Sequence, residues 1–398
     1  MKHKFIIKLL SAVVLGVFCF SFSTSCAKKT EGIQVGAENI DAYLPLLKDK
    51  RVGFVGNNTS ILGDGTHTVD YLKEKGVNIV KAFAPEHGFR GDADAGEHVE
   101  DMVDPKTGIK IVSLYGKVNK PTPEMLEDVD VLVFDIQDVG CRFYTYIYLL
   151  QRVMEAGGEN NVPVIVLDRP NPNGFFIDGP ILLDTCRSGI GMQPLPITYA
   201  LTIGELGNLY NGEGWLRDSV TCDLTVIPCL NYDHTMRYSL PVPPSPNLPN
   251  DRSVNLFAST CLVEGTPMSE GRGTPWPFEV IGSPLIDSTA TDFTFTPQPS
   301  FGDKNPKQNG VLCYGLDLRE EPEQSEVNLD YIIWAYNNYT DKENFFNRRA
   351  FSLRAGNYEL EDQIKAGMTP EQIKATWKEG LDQFKQVRKK YLIYPDFE

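Results

Sequence analysis

Short runs of apolar, mostly β-branched residues recur along the first half of the chain, separated by amphipathic segments. This alternation predicts a parallel sheet whose strands are joined by crossover helices. The runs are apolar throughout, as expected for strands buried on both faces. The predicted strands cover residues 51–55, 77–83, 110–114, 130–134 and 162–167.

The segments between the runs carry recognisable helix ends. Thr122 precedes a proline and is typical of an N-cap, while Thr202 and Glu205 have the spacing of a capping box. Gly76 and Gly157 fall where helices should stop, because glycine readily adopts the left-handed conformation that ends a helix.

A proline-rich segment follows this half of the chain. Five prolines lie within residues 241–249, and each fixes its own backbone and restricts the residue before it. We therefore expect a stiff, extended connection and place a domain boundary after residue 250. Further on, the apolar spacing predicts a helix over 329–336, and a second helix that begins at Thr369 with one apolar face. That face contains Ile373, Trp377, Leu381, Phe384 and Val387.

The first 25 residues are typical of a secretory signal. Three lysines precede an apolar stretch at 9–22, which is shorter than the roughly 20 residues that cross a bilayer. Cys26 follows small residues, as at the processing site of a bacterial lipoprotein, although Ser23 stands where leucine is usual. We expect a lipid on Cys26, a tether over 26–36, and a location in the periplasm or at the cell surface.

Charge and cysteine content narrow the possible partners. The formal charge of −15 becomes −18 when the three lysines of the signal are removed. Such a surface repels nucleic acid, so an anionic substrate must be met by locally placed arginines. The cysteines after residue 26 lack C-x-x-C spacing, and we expect buried thiols, with Cys222 and Cys229 the only pair close in sequence.

Polar side chains follow four of the five predicted strands. In an open α/β sheet, ligands bind beyond the carboxyl ends of the strands, where loops and helix amino termini converge. Turn preferences account for Asn, Asp and Gly at these places but do not favour Glu86, Gln137 or Arg142. We therefore expect a shared polar site. Its candidate residues are Asn57, Glu86, His87, Asp135, Asp138, Arg142, Tyr144, Asp168, Arg169 and Asn171.

The sequence lacks the motifs of several enzyme classes. The chain has no G-x-G-x-x-G after the first strand, no phosphate-binding P-loop and no G-x-S-x-G, so we expect neither a nucleotide cofactor nor a serine hydrolase. Asp92, Asp94, Glu97 and His98 do not follow the calcium-loop spacing and indicate a solvated acidic loop without a metal. A metal-dependent esterase or phosphodiesterase that uses Glu86, His87, Asp92 and His98 is the alternative.

Carboxylates dominate the expected site, which suits hydrolysis of a glycosidic bond. That reaction needs a carboxylic acid held protonated beside the leaving oxygen. Glu86 is the candidate, because it follows a buried strand and lies near other acids, both of which raise the pKa of a carboxyl group. His87 is either a proton shuttle or a partner of a backbone carbonyl.

A second group of candidates lies beyond the proline-rich segment. Glu264, Glu270 and Arg272 stand among glycines and prolines, with Trp276 and Phe278 close in sequence. Sugars stack their apolar faces on aromatic rings while polar groups fix their hydroxyls, so this segment suits the wall of a cleft. The alternative is a rigid loop between domains.

Four motifs carry a family resemblance. They are P-E-H-G-F-R-G at 85–91, F-D-I-Q-D-V-G-C-R-F-Y-T-Y at 134–146, L-D-R-P-N-P at 167–172 and E-G-R-G-T-P-W-P-F-E at 270–279. Together they resemble the bacterial exo-β-N-acetylmuramidase family of the NamZ type, over nearly the whole chain from about residue 38. The resemblance implies a Rossmann-like catalytic domain (37–250), a smaller α/β or α+β C-terminal domain (251–398) and an active-site cleft between them.

The resemblance also implies an activity and roles. Enzymes of this family release terminal N-acetylmuramic acid from the non-reducing ends of peptidoglycan fragments. The family's glutamate falls on Glu86, and Arg142, Arg169 and Arg272 become candidates for the lactyl carboxylate, which a bidentate guanidinium suits. Asp135 or Asp138 would orient the 2-acetamido group of the sugar, activate water or attack directly.

The expected partners are peptidoglycan-derived sugars and muropeptides, and the membrane only through a lipid on Cys26. A lipoprotein that binds cell-wall glycans without cutting them is the alternative from another functional class. It predicts stable binding of muropeptides with no product.

Overall fold

The computed structural model describes residues 32–85, 88–91, 102–116 and 118–398. Its strands are β1 (Val52–Gly56), β2 (Ile79–Ala84), β3 (Met102–Val103), β4 (Lys110–Ser113), β5 (Val131–Asp135), β6 (Val164–Leu167), β7 (Leu224–Ile227), β8 (Val280–Ser283), β9 (Thr294–Phe295) and β10 (Cys313–Asp317). Its α-helices are α1 (Ile40–Leu47), α2 (Thr68–Glu74), α3 (Pro123–Leu126), α4 (Tyr146–Asn160), α5 (Ile203–Gly212), α6 (Asp251–Thr260), α7 (Asp330–Asn338), α8 (Arg348–Ala355), α9 (Glu359–Lys365), α10 (Pro370–Ala375) and α11 (Lys378–Arg388). Short 3-10 helices cover Gly36–Glu38, Asp184–Cys186, Arg217–Ser219, Cys261–Gly265 and Lys342–Asn344.

The first seven strands form one sheet in the order β3-β4-β2-β1-β5-β6-β7. All pairs are parallel except β3 with β4 at one edge. Without β3, this is the strand order of the doubly wound dinucleotide-binding fold. Strand β1 lies at the point where the order reverses, with β2 on one side and β5 on the other. In such sheets ligands bind at the carboxyl ends of these central strands.

The structure confirms the five strands predicted from the apolar runs. Strands β1 and β5 are buried along their whole length, as their unbroken apolar character indicated. Strands β3 and β7 were not predicted. Strand β3 has two residues, both exposed, and β7 is only partly buried, so neither carries a long apolar run.

Most predicted helix ends are confirmed. Thr122 accepts a hydrogen bond from the backbone of Met125, and Thr202 with Glu205 forms the capping box that begins α5. The prediction for Gly157 is wrong, because α4 continues to Asn160 and ends at Asn161 in the left-handed conformation. A side chain at Gly157 would lie 2.7 Å from the carbonyl oxygen of Val162, so close packing explains this glycine.

The single C-terminal helix predicted from Thr369 onward is two helices. The capping box at Thr369 begins α10, which ends at Ala375, and α11 begins after Trp377. Predicted apolar residues are buried on both sides of the break at Trp377, but they pack in two different cores. Trp377 packs in the core of the C-terminal half, whereas Phe384 packs with α4, α5 and the sheet.

The C-terminal half contains a smaller antiparallel sheet in the order β8-β10-β9. Helices α6 to α10 pack around a core that includes Phe257, Ile281 and Ile332. The chain then returns to the first half, where Tyr394 packs against Cys229 and Tyr232. Residues 33–398 form one compact unit, and the division after residue 250 stays a prediction.

The cysteine prediction is confirmed for the described residues. Cys222 and Cys229 are both free thiols, and so are Cys141, Cys186, Cys261 and Cys313, all of them buried. Within the described ranges, no helix has the length and apolar character needed to cross a membrane.

Candidate active site

The loops after β1, β5 and β6 lie together at the carboxyl end of the sheet. The Ser60 hydroxyl donates to the carbonyl oxygen of Asp135, and the backbone N–H of Gln137 donates to Thr59 Oγ1 at 3.0 Å. Arg169 Nη2 donates to the carbonyl oxygen of Ile61 at 3.0 Å. The predicted convergence of these strand ends is therefore present in the fold.

Asp135 and Arg169 form a buried ion pair at this place. Arg169 Nε lies 2.6 Å from Asp135 Oδ1, and both side chains are almost fully shielded from solvent. A buried ion pair is expensive to break from one side, since the remaining charge has no partner. Arg169 is therefore engaged with Asp135 and with the carbonyl oxygen of Ile61, and its role in binding a substrate carboxylate stays a prediction.

Several polar atoms beside this ion pair make no hydrogen bond within the described part of the chain. They are Asn57 Nδ2, Asp135 Oδ2, Gln137 Oε1 and Asp138 Oδ1, all of them buried. Buried polar atoms are normally paired, so a group of unpaired ones marks a place where water, substrate or a further side chain belongs. The group lies where the strand order reverses, which is the expected position of a ligand site in this fold.

Asp138 is held from one side. Its Oδ2 accepts from the backbone N–H of Gly140 at 2.8 Å and from the Tyr199 hydroxyl. Burial raises the pKa of Asp138 to about 6, against the hydrogen bonds that lower it. A carboxyl group with this pKa can gain or lose a proton near neutral pH. The side chain of Asp138 is nevertheless buried.

Asp168 and Asn171 connect parts of the fold. Asp168 Oδ2 accepts from Thr202 Oγ1 at 2.7 Å and from the Tyr394 hydroxyl at 2.6 Å, which ties β6 to the capping box of α5 and to the C-terminal segment. Asn171 Nδ2 donates to the carbonyl oxygen of Leu201. Both side chains are buried, and their bonds indicate a structural role.

Arg142 has a different place from the one expected. Its Nη1 donates to the carbonyl oxygens of Pro180 and Leu195, and its Nη2 donates to those of Arg354 and Ala355. These bonds fix a fully buried guanidinium, whose pKa burial lowers to about 10. The last two carbonyls end α8, where the helix dipole attracts a cation. Arg142 therefore joins two halves of the chain, and only its Nε, which is buried, has no hydrogen-bond partner among the described residues.

A cavity of about 170 Å³ lies beside the loop that follows β5. Its wall is aromatic on one side, where Phe257 makes edge contacts with Phe143 and Phe278. The cavity is lined by Phe143, Tyr144, Thr145, Ile190, Ser245, Asn247, Leu248, Phe257, Cys261, Glu264, Arg272 and Phe278. Aromatic rings combined with hydroxyl, amide and charged groups suit a sugar.

The proline-rich segment connects this cavity with the sheet. Asn58, in the loop after β1, donates from Nδ2 to the carbonyl oxygen of Pro243 at 3.1 Å. Tyr144 donates to the next carbonyl, that of Pro244, at 2.8 Å. The segment thus runs from a strand end to the cavity, where Ser245 forms part of the lining.

Glu264 and Arg272 form the charged side of the cavity. Arg272 Nη2 lies 2.7 Å from Glu264 Oε1, and Arg354 Nη2 lies 2.5 Å from Glu264 Oε2. Burial alone would raise the pKa of Glu264, but the two guanidinium groups lower it overall. Glu264 is therefore ionised and accepts hydrogen bonds.

Further charged groups surround Arg272. Glu270 lies 3.2 Å from Arg272 Nε and 3.4 Å from Lys307 Nζ, as charge contacts without hydrogen-bond geometry. Arg272, Arg354 and Lys307 face two carboxylates, those of Glu264 and Glu270. The charge of Asp303 also acts on Arg272, and the Nε of Arg272 is buried without a hydrogen-bond partner among the described residues.

Glu86 and His87, the predicted catalytic residues, lie outside the described residues, as do Asp92, Asp94, Glu97 and His98. The segment next to Glu86 is described and is anchored. Phe89 packs in the core against Phe54, and Arg90 Nη2 bonds Asp70 at 3.0 Å and Asp104 at 2.8 Å. Among the described residues, no group of three His, Cys, Asp or Glu side chains is arranged to hold a metal ion.

Comparison with known proteins decides the family. The N-terminal family model of the exo-beta-N-acetylmuramidase NamZ matches residues 52–252, and the C-terminal model matches residues 255–394. The chain belongs to this family. As a member of the NamZ family, the protein is a glycoside hydrolase.

The similarity to known proteins extends along nearly the whole chain. The peptidoglycan beta-N-acetylmuramidase NamZ of Bacillus subtilis (strain 168) is 39% identical over 416 residues, which cover 97% of this chain and all of that protein. A crystal structure of a DUF1343 family protein from Bacteroides fragilis is 44% identical, with a TM-score of 0.86 over 92% of this chain and all of the other. A second DUF1343 protein from the same organism is 29% identical, with a TM-score of 0.79 over 91% of this chain and 99% of its own.

The structure places three of the predicted site residues of this NamZ family member at the cavity, namely Tyr144, Glu264 and Arg272. Glu270 lies behind them and is almost fully buried. Sequence reasoning missed Ser245 and Asn247, because small polar residues among prolines were interpreted as a connection. It also missed Arg354, whose contact with Glu264 spans 90 residues and leaves no local signal.

Proposed function

We propose that the protein is an exo-acting glycoside hydrolase that releases terminal β-linked N-acetylmuramic acid from the non-reducing ends of peptidoglycan fragments. Its family and the name of its Bacillus subtilis relative support this substrate class. The cavity is small compared with the roughly 300–1,000 Å³ of most ligand pockets, which suits one terminal sugar instead of a continuous chain.

The observation that carries the proposal is the guanidinium of Arg272 at the cavity, whose Nε has no hydrogen-bond partner among the described residues. N-acetylmuramic acid differs from N-acetylglucosamine by a lactyl ether with a carboxylate. Arg272 donates from Nη2 to Glu264, and its Nε is left to meet a further carboxylate. A guanidinium binds a carboxylate through two parallel hydrogen bonds, which adds geometric selectivity.

In the proposed reaction Glu86 is the general acid that protonates the leaving oxygen. The nucleophile is the 2-acetamido group of the sugar, water or a carboxylate, and Asp135 and Asp138 are the candidate residues beside it. Both carboxylates are buried, and each has one oxygen without a partner in the described part of the chain. Burial favours a role in orienting the acetamido group over direct attack.

Exchange of Arg272 tests the substrate assignment. In Arg272→Gln the lactyl carboxylate loses its charged donor, so KM for a chromogenic N-acetylmuramic acid glycoside should rise by about 10- to 100-fold. The corresponding N-acetylglucosamine glycoside lacks this carboxylate, so the variant should leave any hydrolysis of it unchanged. Steady-state kinetics with both substrates measure the difference.

Arg319→Gln is the matched control, because Arg319 stacks on Trp276 and does not line the cavity. Equal losses on both substrates in Arg272→Gln would contradict a role in recognising the lactyl group. Tight binding of muropeptides by the native protein without release of sugar would favour the glycan-binding lipoprotein instead.

The lipid anchor on Cys26 is part of the proposal. A processed and lipidated Cys26 would hold the enzyme at a membrane surface, where peptidoglycan fragments are found. Mass spectrometry of the mature amino terminus should show a diacylated cysteine, and Cys26→Ala should move the protein to the soluble fraction. An unmodified amino terminus in the native protein would refute the anchor.

A further inference from the structure

A second pocket, of about 520 Å³, lies along α4. Its walls come from α4, from the loop at 187–193 and from the segment at 215–217. The cationic side chains at this pocket are Lys120, Arg152, Arg187 and Arg217, and Glu155 is its one carboxylate. Three of these cations have a carboxylate beside them, namely Lys120, Arg187 and Arg217, and none of the roles above uses the pocket.

Arg152 is the cation of this pocket that has no partner. Lys120 bonds Glu159 at 2.7 Å, and Arg187 bonds Asp184 at 2.9 Å. Arg152 makes no hydrogen bond or ion pair with another described residue. Partial burial lowers the pKa of Arg152, and the negative charge of Glu155 raises it. A partly exposed guanidinium without a protein partner is available to bind the anionic group of a ligand.

The floor of the pocket is preorganised. Gln193 Nε2 donates to Gln151 Oε1 at 3.0 Å and to the carbonyl oxygen of Trp215 at 2.8 Å, and Gln151 Nε2 donates to Glu155 Oε1. These side chains are nearly fully buried and hold one another in place. Trp215 is partly exposed and supplies an aromatic surface of the kind on which sugars stack.

The pocket and the catalytic cavity lie on one face of the same helix. Thr145 lines the cavity and is the N-cap of α4, and Arg152 follows seven residues later. Seven residues are two turns, which returns to the same face after a rise of about 10 Å. The loop at 187–193 runs beside both sites, since Ile190 lines the cavity and Met192 lines the pocket.

We propose that this pocket is a distal subsite that binds the lactyl carboxylate of a second muramic acid, two sugars along the glycan from the terminal one. The inference rests on the proposed function, which places the terminal sugar in the cavity. The rise of about 10 Å along α4 between Thr145 and Arg152 is comparable to the length of two linked pyranose rings, and muramic acid is every second sugar of the polymer. Arg152 meets the carboxylate, and Trp215 packs against the ring.

Substrate length tests the subsite. The tetrasaccharide with two muramic acids should show a KM about tenfold or more below that of the disaccharide, because it alone reaches Arg152. When the inner lactyl carboxylate of the tetrasaccharide is converted to the amide, its KM for the native enzyme should rise to the disaccharide value. This comparison needs no variant, so a folding defect cannot obscure it.

The matching variant is Arg152→Gln. It should raise KM for the tetrasaccharide to the disaccharide value and leave KM for the disaccharide unchanged. Arg348→Gln removes another surface cation and should leave the gain intact. The subsite is refuted if both oligosaccharides have the same KM in the native enzyme, or if the gain survives in Arg152→Gln. If neither oligosaccharide is cleaved, the proposed function fails, and equilibrium binding of the same pair still decides the subsite.

Discussion

Burial determines which charged side chain serves a ligand and which serves the fold. Arg142, Arg169 and Arg272 were equivalent candidates for a carboxylate when only the sequence was considered. Arg142 is surrounded by backbone carbonyls and Arg169 is paired with Asp135, whereas Arg272 lines a cavity. The chemical type of a residue suggests a role, but its solvent exposure and its partners assign it.

Glu86→Gln tests the proposed general acid. The amide cannot donate a proton to the leaving oxygen, so kcat should fall on the order of 10² to 10⁴. Its shape is nearly unchanged, so binding of N-acetylmuramic acid should persist. Release of the sugar from a chromogenic glycoside gives the rate, and calorimetry gives the binding.

Glu127→Gln provides the control, because this glutamate is exposed and is not one of the predicted site residues. Full turnover in a folded Glu86→Gln protein would remove Glu86 from the role of acid. A loss of binding together with turnover would instead indicate a role in holding the substrate.

At the scale of elements, the joint between α8 and the loop after β5 organises the cavity. Arg142 bonds the last carbonyls of α8, and the same helix carries Arg354, which holds Glu264. Gly356 ends the helix with a φ of 90°, and a Cβ at this position would lie 2.5 Å from Arg142 Nη2. The joint therefore requires glycine both for its conformation and for its size.

Gly356→Ala should lower the free energy of unfolding by about 2–4 kcal/mol, because left-handed strain adds to the clash with Arg142. Gly367→Ala is the matched control. Gly367 also has a positive φ, of 73°, but a Cβ there meets only open space. The free energy of unfolding should therefore fall by only about 1–2 kcal/mol. Urea denaturation measures both. Equal losses would show that the contact with Arg142 is unimportant.

At the scale of the whole molecule, segments distant in sequence share one site. The cavity combines the loop after β5 with residues 245–248 and with Glu264 and Arg272. The last residues return to the first half, where Tyr394 bonds Asp168, and Phe384 packs into the core around α4 and α5. The C-terminal segment thus holds the strand-end region that adjoins the cavity.

The sequence by itself determined the parallel strands, most helix ends, the buried thiols and the stretches that contain the polar residues. These features are local, because apolar runs, capping residues and turn residues act over a few positions. Gly157 and the break at Trp377 departed from the prediction, since packing overrides a local preference.

Which candidates line the cavity followed from the tertiary structure alone. Asp168 and Asn171 follow a strand as a ligand-binding residue would, yet their bonds are used within the fold. Arg354 and Asn247 had no local signal and nevertheless hold or line the cavity. Burial and pairing depend on what the rest of the chain places around a side chain, and no short stretch of sequence contains that information.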